Sequence, residues 1–375
     1  MGKTIIQELT EFGQSIWLDY ISRSLIDTGK LKQMIDSGVR GMTSNPSIFD
    51  KAISSSNDYD VRINKLKQMK ESTFEIYDEL TIKDIQDAAD AFKPVYEETK
   101  GLDGYVSLEI NPRLAYQTAE TVKEGKRLYH TVNRPNVLFK VPSTEPGFRA
   151  VEELLAQGIN VNITLIFSLQ QYINTAHAYI KGVNRFVQNN GDISRLASVA
   201  SVFVSRVDTL VDKLLDEKIT EQNDETKNKS ESLKGKAAVA NAAIIFSKYK
   251  EIFSSKEFKE IQEKGARIQR LLWGSTSTKD PVYSDIKYVA ELIGDNTINT
   301  IPEKTLNAFL DHGVVKQALT GNITEHKEII SELSKNSINI DAICEKLLSD
   351  GVAAFEKSFD SLLASITEKA KRLST

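Results

Sequence analysis

The sequence predicts an α/β protein built as a closed (β/α)8 TIM barrel. Short apolar runs rich in β-branched residues recur along the 375 residues, separated by longer stretches of helical periodicity. Strands that alternate with helices imply a parallel sheet with right-handed crossovers, and eight such units imply closure. A doubly wound open sheet usually carries a glycine-rich phosphate turn, and neither G-x-G-x-x-G nor G-x-x-x-x-G-K-[ST] occurs here.

The first strand is read at 15–21, where Ile16 and Leu18 alternate with Trp17 and Asp19. The second is 39–44 (VRGMTS). The stretch 50–100 after it exceeds a simple crossover and holds more than one helix. In the third strand, 104–110, Val106, Leu108 and Ile110 share one face, and Ser107 and Glu109 the other. A helix over 112–129 leads to the fourth, 136–142, where Val137, Phe139 and Val141 oppose Leu138 and Lys140. After a helix over 145–156, the fifth strand, 160–167, alternates Val161, Ile163 and Leu165 with Asn160, Asn162 and Thr164. A helix over 168–188 precedes the sixth strand, 198–205 (SVASVFVS).

Extra helices follow over 207–266. Within them Asp216–Lys236 is polar and poor in apolar residues, and reads as a surface insertion. Strand 270–275 (RLLWGS), a helix over 284–293, strand 297–301 (TINTI) and a helix over 303–311 complete eight units. The remainder, 324–375, is helical. Its apolar positions Ile343, Leu347, Leu348, Val352, Phe355 and Phe359 recur at helical spacing and are expected to pack on the barrel. With no internal repeat and no interdomain linker, 1–375 reads as a single domain.

Composition narrows the function classes. The chain is 40% hydrophobic and 27% charged, enough for a large core. A net charge of −4 offers no broad basic field for nucleic acid, although local Arg and Lys residues can bind a small anion. No apolar run approaches the roughly 20 residues of a membrane span. Met1–Ile6 leads into a polar helix and does not read as a signal peptide. Cys344 is the single cysteine and reads as a packed residue, which fits a reducing compartment. The expectation is a cytoplasmic protein. His130, His177, His312 and His326 show no metal-ligand spacing, so no metal is expected.

Lys140 is the first candidate for chemistry. Alternation turns it into the barrel near the C-terminal end of its strand, where barrel enzymes keep their active sites. Among Leu138, Phe139 and Pro142 the amine is poorly hydrated, and a neutral amine attacks a ketone carbonyl. Alone, such a lysine is more often a strand-end side chain reaching for solvent. Three other strands also turn polar groups toward the face opposite their aliphatic residues: Asp19; Ser107 and Glu109; Asn162 and Thr164. Buried carboxylates and amides are costly unless paired, so this shared cost points either to a site or to a structural polar network.

The motifs are then specific. Asn136–Thr144 (NVLFKVPST) resembles the Schiff-base lysine segment of transaldolases, and Gly158–Ser168 (GINVNITLIFS) is similar to that family's next strand. Thr43–Ser47 (TSNPS) resembles its T-[ST]-N-P-[ST] signature, and Val202–Asp208 (VFVSRVD) its F-V-x-R strand end. The matches keep chain order from Asp19 to Phe309. The polar insertion and Trp273–Lys279 (WGSTSTK) resemble the longer branch of the family.

The resemblance implies a barrel of class I aldolase type and the following roles. Lys140 would form an imine with C2 of a ketose phosphate, and Asp19 would take the C4 hydroxyl proton as the C3–C4 bond breaks. Glu109 and Thr164 would hold a proton-relaying water. Asn45 and Asn162 would hydrogen-bond the fragment's hydroxyls, and Ser201 and Phe203 would line the pocket. Arg206 would bind phosphate. The family's second arginine, after strand seven, is unmatched, and the nearest cation is Lys279. A protonated imine is an electron sink, so no cofactor is implied.

The implied reaction is reversible transfer of dihydroxyacetone in the non-oxidative pentose phosphate pathway. Sedoheptulose 7-phosphate or fructose 6-phosphate would donate it, and glyceraldehyde 3-phosphate or erythrose 4-phosphate would accept it. The expected partners are these sugar phosphates, with no nucleic acid or membrane, and the chain is expected to be a monomer or homodimer. The alternatives are an aldolase releasing free dihydroxyacetone and a non-catalytic sugar-phosphate-binding barrel. Relatives that release dihydroxyacetone tend to carry tyrosine where this chain has Phe203.

Overall fold

The computed structural model describes residues 2–219 and 224–373. Eight strands, β1 (Gln14–Asp19), β2 (Gly41–Thr43), β3 (Val106–Glu109), β4 (Val137–Pro142), β5 (Val161–Ile166), β6 (Ser198–Phe203), β7 (Arg270–Gly274) and β8 (Thr297–Ile301), form a closed barrel in sequence order. Every neighbouring pair is parallel, and β8 closes on β1. The (β/α)8 expectation holds.

Period-two alternation sorts the barrel interior into layers. At the floor, Arg270 pairs with Asp103 at 3.0 Å and donates to Ser15 Oγ at 2.7 Å and to the Thr297 carbonyl at 2.8 Å. Asp103 also accepts from Ser15 Oγ and from the Trp17 indole. Every charge in this network has a partner, which burial requires. Two residues further along the strands lies an apolar layer of Trp17, Leu138, Val199, Leu272 and Ile298, joined by Tyr105. Gly41 is needed beside it, because a Cβ there would lie 2.5 Å from the Trp17 ring. Two residues further again come Asp19, Lys140, Ser201 and Thr300. The aliphatic partners Val137, Phe139, Val141, Ile163 and Leu165 face outward into the main core, under the helices.

Some boundaries differ from the sequence reading. The helix expected over 112–129 splits into a 3₁₀ turn, Pro112–Leu114, and a helix, Thr118–Val132. Asn111 caps that turn through its side chain, and the Gln117 amide bonds back to the Leu114 carbonyl. The helix expected over 284–293 shrinks to Lys287–Ala290. Its later carbonyls are taken elsewhere, Leu292 by the Gln14 amide and Ile293 by the amides of Ala318 and Leu319. Strand six ends at Phe203, and Ser205 already starts a helix, Ser205–Ile219.

The 50–100 stretch holds helices Pro46–Ser55, Asp60–Gln68 and Thr73–Glu98. Of Asp216–Lys236, residues 220–223 lie outside the described residues. Asp224–Leu233 is helical, and the Gly235 amide is tied to Asp212 at 2.9 Å. The C-terminal helix, Ile340–Arg372, buries Ile343, Leu347, Val352, Phe355 and Phe359. Cys344 on it is fully buried, and its thiol, pushed up to about 12 by burial, donates to the Phe167 carbonyl. No helix among the described residues is long and apolar enough to cross a membrane.

Candidate active site

A cavity of about 270 Å³ opens at the C-terminal ends of the strands. Lys140 on β4 sits in it, 4% exposed. Its amine lies 2.9 Å from the Glu109 carboxylate and donates to the Ser44 carbonyl at 3.0 Å. Glu109 and Lys140 are register partners on β3 and β4, so alternation turns both the same way. Burial pushes the Glu109 carboxyl above the usual carboxylate range, against the pull of the Lys140 charge.

Asp19, at the end of β1, lines the same cavity. Burial raises its affinity for a proton. The Thr43 hydroxyl, donating at 2.8 Å, and the charges of Lys140 and Lys279 oppose that rise. Thr43 in turn shares a hydroxyl contact of 2.7 Å with Thr300 of β8. The two carboxyls therefore differ in environment: Asp19 accepts from the Thr43 hydroxyl, and Glu109 faces the amine.

Asn45 caps the helix Pro46–Ser55. Its Oδ1 accepts from the Ile48 amide at 3.0 Å, which leaves its NH2 as a donor beside the cavity. Ser201 lines the wall and donates to Asn162 Oδ1 at 2.6 Å. Asn162 itself is fully buried, with its amide NH2 on Ser107 Oγ at 3.1 Å. Neither Asn162 nor Glu109 belongs to the cavity wall; both stand behind residues that do. Thr164 reaches the wall with a buried hydroxyl that has no partner among the described residues. The strand bulges there: Leu165 takes φ of +59°, and the β5–β6 register shifts between Ile163 and Ile166.

Arg206 lies in the first turn of the helix after β6 and lines the cavity, with its guanidinium 5.4 Å over the Phe203 ring. It has no carboxylate partner among the described residues, and burial alone pulls its pKa down. An unneutralised guanidinium at a helix N-terminus is a site for an anion. Lys279 lines the same cavity from an exposed loop and donates to Ser277 Oγ at 2.8 Å. The two loops are tied, since the Ser205 amide donates to the Ser275 carbonyl at 2.9 Å.

All ten residues singled out from the sequence gather at this mouth, eight on the wall and two behind it. The sequence reading missed Thr43, Thr300 and Phe355. Thr43 lay within a quoted motif, and Thr300 faces inward by strand alternation. Phe355 carried no signal beyond a packing stripe. No group of three His, Cys, Asp or Glu residues able to hold a metal ion occurs among the described residues.

An amine, two carboxyls and an unpaired guanidinium at the mouth of a (β/α)8 barrel equip an enzyme for carbonyl chemistry on a small anion. Residues 16–366 match the family model described as transaldolase/fructose-6-phosphate aldolase. A transaldolase of Trichodesmium erythraeum is 49% identical over 370 residues, covering 98% of this chain and 97% of that protein. Transaldolase 2 of a Nostoc species is 44% identical over 372 residues, 98% of each chain. A transaldolase of Saccharopolyspora erythraea is 43% identical over 366 residues, 97% of each. The chain belongs to the transaldolase/fructose-6-phosphate aldolase family.

Proposed function

We propose that the chain catalyses reversible transfer of a dihydroxyacetone unit from a ketose phosphate to an aldose phosphate, through a Schiff base on Lys140. The observation that carries this is the buried Lys140 amine, 2.9 Å from Glu109 and in one cavity with Asp19 and Arg206. Glu109, its proton affinity raised by burial, takes the proton that leaves the amine a nucleophile. The amine adds to C2 of the ketose, and loss of water gives the iminium. Asp19 removes the C4 hydroxyl proton, the C3–C4 bond breaks into the iminium sink, and an aldose phosphate departs. The partnerless Thr164 hydroxyl and Glu109 hold the water that relays protons.

Asn45, through its free NH2, and Ser201, oriented by Asn162, meet the hydroxyls of the retained fragment. Arg206 takes the phosphate, with Lys279 as its second cation. Sedoheptulose 7-phosphate or fructose 6-phosphate is the donor, and glyceraldehyde 3-phosphate or erythrose 4-phosphate the acceptor. An aldolase releasing free dihydroxyacetone is the second reading. Phe203, which has no hydroxyl to protonate the fragment, supports transfer over it.

The test is borohydride reduction with fructose 6-phosphate, followed by peptide mass mapping. The fragment's mass is expected on Lys140; no added mass, or mass on another lysine, ends the Schiff-base reading. Fructose 6-phosphate turnover with and without an acceptor aldose separates transfer from release.

A further inference from the structure

The strands leave one side of the amine open, and the C-terminal helix covers it. Phe355 lies on that helix, is 5% exposed, lines the cavity and holds its ring centroid 5.7 Å from Lys140 Nζ. Close seating brings it there. Gly351, one turn earlier, faces β5: a Cβ there would lie 3.0 Å from the Leu165 side chain and 3.7 Å from an Arg206 Nη. Leu165 is the bulged residue beside Thr164. The helix is also pinned along its length to the helix that Asn45 caps. Ser47 donates to Ser358 at 2.7 Å, and Ser361 and Ser365 each donate to Asp50 at 2.8 Å. Further on, Lys369 pairs with Asp60 at 2.7 Å.

We propose that Phe355 is a specificity-determining residue whose ring roofs the amine at position 140. It keeps the nucleophilic carbon of the covalent three-carbon fragment from protonation by bulk water, so that the fragment passes to an aldose and is not released. This rests on the Schiff-base reading above. After carbon–carbon cleavage the fragment is an enamine with two exits. In transfer, its C3 attacks the aldose carbonyl carbon, the carbonyl oxygen takes the proton held by Asp19, and the iminium is restored. Water held at Thr164 and Glu109 then adds to the iminium carbon, and the carbinolamine collapses to the product ketose and the Lys140 amine. In release, C3 takes a proton from water. The hydroxide so formed adds to the iminium carbon, and the carbinolamine collapses to free dihydroxyacetone and the Lys140 amine. A ring over the enamine closes the second exit at its first step, the protonation of C3 from bulk water, and leaves the water at Thr164 and Glu109 in place. Its face also favours the cationic iminium over a neutral amine.

The experiment uses the full chain and two rates: transfer from fructose 6-phosphate to erythrose 4-phosphate, and dihydroxyacetone release from fructose 6-phosphate without acceptor. Phe355→Leu keeps apolar bulk and removes the ring; it is expected to raise the release-to-transfer ratio about tenfold. Phe355→Tyr keeps the ring and is expected to stay within about twofold of the parent. Phe355→Met, a flexible apolar replacement, gives the same comparison if the leucine variant does not fold. A parent-like ratio in the folded leucine or methionine variant overturns the proposal, as does an equal change in the tyrosine variant. Borohydride trapping in the parent separates the two claims. Without an adduct on Lys140 both fall, whereas an adduct with an unchanged ratio removes only the role of Phe355.

Discussion

Lys140 and Glu109 are opposite numbers in the β3–β4 ladder, and the 2.9 Å between amine and carboxylate is a consequence of that register. Lys140→Met removes the nucleophile and should lower turnover by at least about 10⁴-fold. It also leaves Glu109 buried without its cation, a loss of roughly 3–5 kcal/mol if the carboxylate must stay ionised. A carboxyl already pushed up by burial will instead take a proton at low pH. The variant should therefore lose melting temperature as pH rises, and Lys140→Met/Glu109→Gln should recover it. Equal melting curves for the single and double variants at neutral pH would contradict the pairing.

The Thr43 hydroxyl opposes the upward shift that burial imposes on Asp19. Asp19 must be ionised to act as a base, so activity falls as pH drops through its pKa. Thr43→Val removes the hydroxyl and raises that pKa further. The acid limb of the kcat/KM profile should move to higher pH. Asp19→Asn should slow cleavage by about 10²–10⁴-fold while borohydride still traps the imine. An acid limb that stays in place in Thr43→Val would separate Thr43 from the base.

Arg206 has no competing carboxylate among the described residues, so its removal should appear directly in binding. Arg206→Ala is expected to raise KM for phosphorylated donors about tenfold to a hundredfold, from the loss of charged hydrogen bonds. Lys279→Ala, on its exposed loop, should act in the same direction but less. Steady-state kinetics with fructose 6-phosphate and with fructose give the comparison. An equal loss on both substrates would place Arg206 outside the phosphate subsite.

Asp208 is 1% exposed, and burial raises its carboxyl to about 6 despite bonds from the Tyr288 hydroxyl and the Ala238 amide. In the unfolded chain the same group titrates near 3.9. Between those values the folded state binds more protons, so this residue's contribution to stability falls as pH rises from about 4 to about 6 and is level above. The full drop is on the order of 2–3 kcal/mol. Asp208→Asn should flatten that part of the melting curve, leaving the share of Asp84, which burial also raises to about 6. Parallel curves for variant and parent would refute the assignment.

The barrel and most of its mouth were legible because strands have period two. Once Val137, Phe139 and Val141 are known to face the helices, Lys140 must face the axis, and the same logic places Asp19, Glu109 and Thr164, whereas Ser201 came from the family resemblance. Alternation says which way a side chain turns and nothing about what stands in front of it. Hence the bonds that tie Asn162 to Ser201 and to Ser107 could not be read from its strand alone. Helical periodicity has the same limit. It marked Phe355 as buried, but the Lys140 amine that its ring faces lies on β4, far away in the chain. At 284–293 the apolar pattern was correct about burial and wrong about helix length. The carbonyls of Leu292 and Ile293 are claimed by Gln14 and by residues 318–319, which no local signal reveals.

The plug of Arg270, Asp103 and Ser15 beneath the apolar layer has a kinetic consequence. With the floor sealed, the cavity lies at the C-terminal ends of the strands with Phe355 of the C-terminal helix in its wall. The leaving aldose must clear that cavity before the incoming one can reach the bound fragment. The two half-reactions are thereby forced into alternation, and initial-rate plots at several acceptor concentrations should run as parallel lines, the pattern of a ping-pong mechanism.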